Sequence, residues 1–226
     1  GSGVLSVAVY PHVIGEVETI AKIKEGFSIA RYGDGEFGAM KGNGYTREPP
    51  SQALAKELRK VITSPAKQTL IGIPTMDKRG DKYDNWIRHT RYIDHLQTGT
   101  VYYSSLISRP DCGSWMRTLE YVELLQSIWI GKKVAVIGSE GIKNKMLKAV
   151  QLTNPDAHNI DCKWYGAYSE IDRLEKDALK SGCEMILLSC GVTATCLANR
   201  LSSKVQAVDI GSIGGFILGM LSGKHV

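Results

Sequence analysis

The chain has 226 residues, of which 43% are hydrophobic, and a formal net charge of +5 from 28 Lys and Arg against 23 Asp and Glu. This length and apolar fraction predict a single globular α/β domain over residues 1–226 with a sizeable core. The weak positive charge would attract a phosphorylated substrate, or an anionic membrane surface in peripheral association. Because no dense Lys/Arg block is present, the composition argues against a nucleic-acid partner.

The cysteines and the apolar runs indicate the cellular compartment in which we expect the protein. Five cysteines form no CxxC pair, and their odd number is typical of free thiols in a reducing compartment. We therefore expect a cytoplasmic protein. Gly1-Ser2-Gly3 is typical of a tag remnant, and the apolar runs 4–9 and 210–221 are too short to span a bilayer.

Apolar spacing in the first half predicts alternating helices and strands. The predicted elements are a helix over 15–24, a strand over 27–30, a helix from Ser51 to Ile62 capped by Ser51, a strand over 68–74, a strand over 100–107 and a helix over 115–130.

The second half repeats a strand–helix unit. Its predicted elements are a strand over 132–137, a helix over 143–152, a strand over 185–189, a helix ending at Leu201 and a strand over 205–208. This order favours a parallel sheet with crossover helices. The turns lack a GxGxxG fingerprint, which argues against an NAD-linked oxidoreductase.

The stretch Arg31-Tyr32-Gly33-Asp34-Gly35-Glu36 follows a buried strand, at a junction where α/β proteins hold ligands. In an extended backbone Asp34 and Glu36 would project to the same side. Two hard oxygen ligands suit a divalent cation that also holds a diphosphate. Gly33 and Gly35 would let a ligand approach the backbone, and Arg31 would meet a phosphate oxygen. The alternative is an ordinary β-turn with Glu36 in solvent.

Two further strand ends carry candidate ligand contacts. Arg109 lies just past the predicted strand 100–107, where it would meet a phosphate or a uracil carbonyl. The stretch Gly191-Val192-Thr193-Ala194-Thr195 would place backbone N–H groups and two hydroxyls at a helix N-terminus, which favours an anion. Simple capping by Thr193 is the alternative.

With these pieces placed, the chain resembles the GT-D-fold bacterial glycosyltransferases, a group typified by an adhesin-modifying glucosyltransferase. Asp34 and Glu36 match the DxE motif of that family. The other matching pieces, in family order along nearly the whole chain, are Ile71-Gly72-Ile73-Pro74, Ser108-Arg109-Pro110, residues 129–134, residues 191–195 and Asp209-Ile210-Gly211.

The chain departs from the family pattern at two points. Val192 stands where the family commonly has proline, and Ser212 stands where a histidine commonly follows Asp-Ile-Gly. The tail after Asp209 is apolar instead of acidic and aromatic. That tail would suit an acceptor with an apolar portion, or it would close the core by packing back on the sheet.

The resemblance implies a Rossmann-like, mostly parallel sheet flanked by helices. It also implies a metal-dependent transferase that moves a sugar from a nucleotide-sugar donor, with UDP-glucose expected, to a glycan, glycoprotein or glycolipid acceptor. Mn²⁺ or Mg²⁺ would bind Asp34 and Glu36, directly or through water. Asp209 is the candidate base for an inverting reaction because it ends a strand in the expected crevice, and Glu36 is the other catalytic candidate. The expected nucleotide-sugar contacts are Arg31, Gly33, Gly35, Arg109, Gly191, Thr193, Thr195 and Ser212. The alternative is a non-catalytic nucleotide- or sugar-phosphate-binding relative.

Overall fold

The computed structural model describes residues 10–75, 93–97 and 99–223, so the expected tag remnant lies outside the described residues. Its strands are β1 (Val13–Ile14), β2 (Ser28–Arg31), β3 (Thr69–Ile73), β4 (Tyr102–Ser104), β5 (Val134–Gly138), β6 (His158–Asp161), β7 (Met185–Ser189) and β8 (Gln206–Asp209). They form one sheet in the order β1-β4-β3-β2-β8-β7-β5-β6, and every pairing is parallel. The predicted Rossmann-like α/β fold is confirmed.

Helices cover both faces of the sheet. They are α1 (Glu16–Lys24), α2 (Asp34–Met40), α3 (Gln52–Thr63), α4 (Leu119–Gln126), α5 (Lys145–Gln151), α6 (Ile171–Lys180), α7 (Thr193–Leu201) and α8 (Gly214–Leu221). The side chains of α2, α3, α6 and α7 pack into one core, and those of α1, α4, α5 and α8 into the other. Because both faces are covered, β3, β5 and β7 are buried along their whole length, which explains their continuous apolar runs.

Most predicted elements are confirmed, with shifted ends. Ser51 caps α3 as expected, since its hydroxyl accepts the N–H of Leu54 at 3.2 Å. The strand expected over 100–107 is shorter, because the chain turns into a 3-10 helix at Ser105–Ser108. The helix expected over 115–130 is reduced to α4. The sequence patterns assigned neither β1, β6 nor α6.

The apolar tail forms α8 and packs on α5. An added Cβ at Gly214 would lie 2.5 Å from the carbonyl carbon of Lys145, so the two helix backbones are in close contact. Ile213 and Ile217 are buried. This packing supports the alternative in which the tail closes the core. Within the described ranges, no helix has the length and apolar character needed to cross a bilayer.

Candidate functional site

The candidate site begins with a buried ion pair between adjacent strand ends. β2 and β8 are neighbours, so Arg31 and Asp209, the last residues of these strands, meet at the carboxyl edge of the sheet. The backbone N–H of Arg31 donates to Asp209 Oδ2 at 3.2 Å, and Arg31 Nη2 donates to Asp209 Oδ1 at 3.4 Å. The two side chains are 12% and 6% exposed. The sheet order thus joins residues that are 178 positions apart.

The guanidinium of Arg31 is also held by the segment after β4. Its Nη1 donates to the carbonyl of Ser105 at 2.7 Å and to the hydroxyl of Ser108. Gly211 has φ 63°, and an added Cβ there would lie 2.5 Å from Arg31 Nη2, so glycine leaves the room that the guanidinium needs. Nη1 and Nη2 are therefore engaged within the protein, whereas the buried Nε has no hydrogen-bond partner among the described residues. The expected contact of Arg31 with a diphosphate stays a prediction.

The DxE pair lies in a helix, so the expectation of an extended backbone there is wrong. Asp34 and Glu36 are the first and third residues of α2. The Glu36 carboxylate accepts the N–H of Gly33 at 2.8 Å, which caps the helix, and acids in a first turn suit the helix dipole. Each residue of a helix is rotated by about 100° from the one before it, so residues two apart are separated by about 200°. The side chains of Asp34 and Glu36 therefore point apart. Asp34 is exposed and Glu36 is half-buried.

Electrostatics couple Glu36 to the buried ion pair. Burial, and next the charge of the Asp209 carboxylate, raise the pKa of Glu36 to about 7. Burial also raises the pKa of Asp209, while Arg31 opposes the shift. A cation beside Glu36 would favour its charged form. Carboxylate oxygens are ligands that a divalent cation prefers, but because the two side chains point apart, a shared cation would have to reach at least one of them through water.

The protein ligands would not complete such a cation site by themselves. Across the described residues, no group of three or more His, Cys, Asp and Glu side chains converges as a metal site. A cation at Asp34 and Glu36 would take its other ligands from a diphosphate and from water, as Mg²⁺ usually does.

Arg109 lies near the start of α2. Its Nε and Nη2 donate to the two carboxylate oxygens of Asp111 at 2.9 and 2.8 Å, and its side chain is 51% exposed. These hydrogen bonds raise the pKa of Arg109, and the charge of Asp34 contributes in the same direction. The structure thus brings an exposed guanidinium towards the exposed carboxylate of the DxE pair.

The Gly191–Thr195 segment begins α7 but offers no exposed hydroxyl. Val192 is the N-cap and no side chain caps the helix, so the capping alternative for Thr193 is wrong. Thr193 and Thr195 are fully buried, and the Thr195 hydroxyl donates to the carbonyl of Arg31 at 2.9 Å. The backbone N–H groups of Val192, Ala194 and Thr195 already donate to the Tyr45 hydroxyl and to the carbonyls of Gly191 and Val192, so an anion contact at α7 stays a prediction. Ser212, which follows Gly211, is exposed at the same edge of the sheet.

Tyr45 is a site residue that sequence reasoning missed. Its ring lies about 3.9 Å from where a Cβ of Gly35 would stand, and its hydroxyl accepts the N–H of Val192 at 3.3 Å. Gly191 has φ 64°, and a Cβ there would collide with this hydroxyl. Tyr45 therefore connects the first turns of α2 and α7. Tyr45 belongs to no motif, so nothing in the sequence indicates this role.

A parallel sheet covered on both faces, with charged groups gathered at its carboxyl edge, defines an α/β protein that binds its ligand at that edge. The family model described as "Glycosyltransferase GT-D fold" matches residues 29–215. The chain belongs to the GT-D-fold glycosyltransferase family, as the motifs predicted.

Two curated relatives come from streptococci. Glycosyltransferase GlyD of Streptococcus pneumoniae serotype 4 is 23% identical over 84% of this chain and 25% of its own length. The probable glycosyl transferase Gly of Streptococcus gordonii is 24% identical over 84% of this chain and 30% of its own length. The chain thus spans less than a third of either relative.

Solved structures share the fold. A domain of unknown function 1792, described as having a distinct glycosyltransferase fold, superposes with a TM-score of 0.82 at 22% identity over 93% of this chain and 82% of that one. A glycosyltransferase with the same domain, from Streptococcus sanguinis, gives 0.79 at 20% identity over 95% and 87%. At these identities the likeness establishes the fold.

Proposed function

We propose that this chain is a metal-dependent glycosyltransferase domain that moves a sugar from a UDP-sugar, with UDP-glucose expected, to a glycan or glycoconjugate acceptor. The observation that carries the proposal is the grouping of Asp34, Glu36 and Arg109 beside the Arg31–Asp209 pair at the carboxyl edge. Membership of the GT-D family and the names of the relatives support it. The five cysteines, which form no disulfide with one another, support a cytoplasmic site of action.

In this proposal Asp34 and Glu36 hold Mn²⁺ or Mg²⁺ against the donor diphosphate. The bound cation would supply Lewis-acid stabilisation of the leaving nucleoside diphosphate. Arg109 contributes charge-assisted hydrogen bonds to the same diphosphate, because its half-exposed side chain reaches solvent beside Asp34.

We assign Asp209 to the positioning of Arg31 and not to proton transfer. Both of its carboxylate oxygens already accept hydrogen bonds from Arg31, and its side chain is 6% exposed. A general base must lie within hydrogen-bonding distance of the hydroxyl that it deprotonates. The buried carboxylate instead orients the guanidinium, which in turn ties β2 to the segment after β4.

A ligand panel followed by a turnover assay tests the proposed function. Melting temperature is measured with UDP-glucose, GDP-mannose, a CMP-sugar and NAD, each with and without Mn²⁺, and release of free nucleotide is then measured for the stabilising donor. We expect stabilisation by UDP-glucose only with Mn²⁺, followed by release of UDP. Stabilisation without release in the presence of acceptor glycans would favour the non-catalytic relative, and stabilisation by NAD alone would contradict the proposal.

A further inference from the structure

A concave site lies around β1 and the start of α1. It is a cavity of about 610 Å³ between the residues around β1, the end of β3 and the segment after β4. This volume is within the usual range of small-molecule sites. The residues that matter here are Tyr10, His12, Glu16, Glu18, Thr75 and Trp115.

The chemistry of the lining selects a neutral, hydroxyl-rich ligand. Glu16 and Glu18 contribute two carboxylates, and no Lys or Arg lines the cavity among the described residues, so a phosphate would be repelled. Trp115 is 38% exposed and packs edge-to-face on Tyr121 at 5.1 Å between ring centroids, which holds its ring against the protein. A held, half-exposed indole beside carboxylates suits a sugar, which has an apolar C–H face and hydroxyl donors on its rim.

A short stretch of chain joins the cavity to Arg109, one of the groups assigned to the donor. Trp115 lies six residues after Arg109, and the 3-10 helices Pro110–Cys112 and Ser114–Met116 join the two positions. Tyr121, the ring on which Trp115 packs, donates a hydrogen bond from its hydroxyl to the carbonyl of Ile107. Burial, and next the charge of Glu16, raise the pKa of Tyr121, while Arg31 lowers it. Tyr121 is therefore within electrostatic range of both the cavity and the Arg31–Asp209 pair.

We propose that this cavity is the acceptor subsite and binds a neutral saccharide. A sugar ring packs on Trp115, and the sugar hydroxyls form hydrogen bonds with Glu18 and with other polar groups of the cavity wall. The catalytic role of the cavity rests on the proposed function. The binding of a saccharide does not, because it needs neither donor nor metal.

Saccharide binding is tested directly by saturation-transfer NMR. The probes are methyl β-D-glucopyranoside, methyl β-D-galactopyranoside and methyl 2-acetamido-2-deoxy-β-D-glucopyranoside. The variants are Trp115→Ala and Glu18→Gln. Their controls are Trp164→Ala, which removes another half-exposed indole, and Glu25→Gln, which changes an exposed carboxylate at the far end of α1. Because Glu18 is exposed, Glu18→Gln tests the site even if Trp115→Ala folds poorly.

We expect at least one glycoside to bind the wild type, with at least fivefold weaker binding to both cavity variants and unchanged binding to both controls. Absence of binding for all three glycosides, or equal binding to cavity and control variants, would overturn the inference. Trp115- and Glu18-dependent glycoside binding in a protein that turns over no UDP-sugar would refute the proposed function and leave the saccharide site standing.

Discussion

At the scale of single residues, the buried ion pair between Arg31 and Asp209 stabilises the candidate site. Asp209→Asn would leave a buried guanidinium without its carboxylate, and breaking a buried pair costs about 3 kcal/mol. We therefore expect the free energy of unfolding to fall by about that amount in urea denaturation. UDP-glucose turnover would fall in the same variant, because Arg31 is no longer oriented.

Arg31→Lys provides the comparison for that prediction. A lysine keeps the charge but loses the planar fork that reaches Asp209, Ser105 and Ser108, so it should also lower stability. If Asp209→Asn removed turnover while its unfolding free energy matched the wild type, Asp209 would be the base that its position at a strand end suggested, and our assignment would be wrong.

Residue-level prediction from sequence placed strand ends better than side chains, since the DxE pair lies in a helix and not in the expected extended backbone. RYGDGE and Asp-Ile-Gly identified the ends of β2 and β8, because a buried strand followed by Gly and Asp has few other uses. The sequence did not indicate that Arg31 and Asp209 bond to each other, since strand order sets that contact. Tyr45 was missed because it belongs to no motif, and the contact of Ser108 with Arg31 was not expected although Ser108 lies in a matching piece.

At the scale of elements, the contact between α8 and α5 depends on one of two adjacent glycines. An added Cβ at Gly214 would lie 2.5 Å from the backbone of Lys145, whereas one at Gly215 would lie 3.6 Å from its flexible side chain. We expect Gly214→Ala to destabilise the protein by about 1–3 kcal/mol, as overpacking does. Gly215→Ala should stabilise it by up to about 0.5 kcal/mol through helix propensity.

Thermal and urea denaturation of the two variants measure this difference. Equal stabilities for Gly214→Ala and Gly215→Ala would show that α8 is not seated on α5 as described. The same packing predicts that removal of the residues after Gly215 causes unfolding or aggregation, because Ile217 would no longer fill the core.

A charge network ties α3, α6 and α7 together and gives a pH prediction. Arg200 bonds Glu57 through Nε and Nη2 at 2.8 and 2.6 Å, and its Nη1 reaches Asp172 at 2.8 Å. Burial raises the pKa of Glu57, but hydrogen bonds from Arg200 and Tyr168 outweigh it and hold that pKa below its ordinary value. This stabilisation is present above the unfolded pKa of about 4.3 and is lost as pH falls through the folded pKa.

We therefore expect Arg200→Gln to lower the free energy of unfolding by about 2 kcal/mol at pH 7 and by much less at pH 3. Arg173→Gln is the control, because Arg173 is 46% exposed and its pairs with Glu170 and Asp177 lie at the surface. Urea denaturation at both pH values gives the comparison. A loss for Arg200→Gln that is the same at pH 3 would mean that packing, not charge, holds the three helices.

At the scale of the whole molecule, the fold class could be predicted but the strand order could not. The apolar runs of β5 and β7 identify strands that are buried on both faces. β6 was missed because its pattern, His158–Asp161, is mostly polar and lies at the edge of the sheet. Nothing local indicates that β8 lies between β2 and β7, and this placement assembles the site.

The central claim is that the DxE pair binds the donor through a divalent cation, and calorimetric titration of UDP with and without Mn²⁺ tests it most directly. Asp34→Asn keeps the size of an exposed side chain, and Asp156→Asn is the matched change of an exposed acid that precedes β6, at the opposite edge of the sheet. We predict that Mn²⁺ raises the UDP affinity of the wild type and of Asp156→Asn by at least about tenfold, which is about 1.4 kcal/mol. In Asp34→Asn, Mn²⁺ should leave the UDP affinity unchanged. Equal affinities for UDP with Mn²⁺ in the wild type and in a folded Asp34→Asn protein would contradict the account.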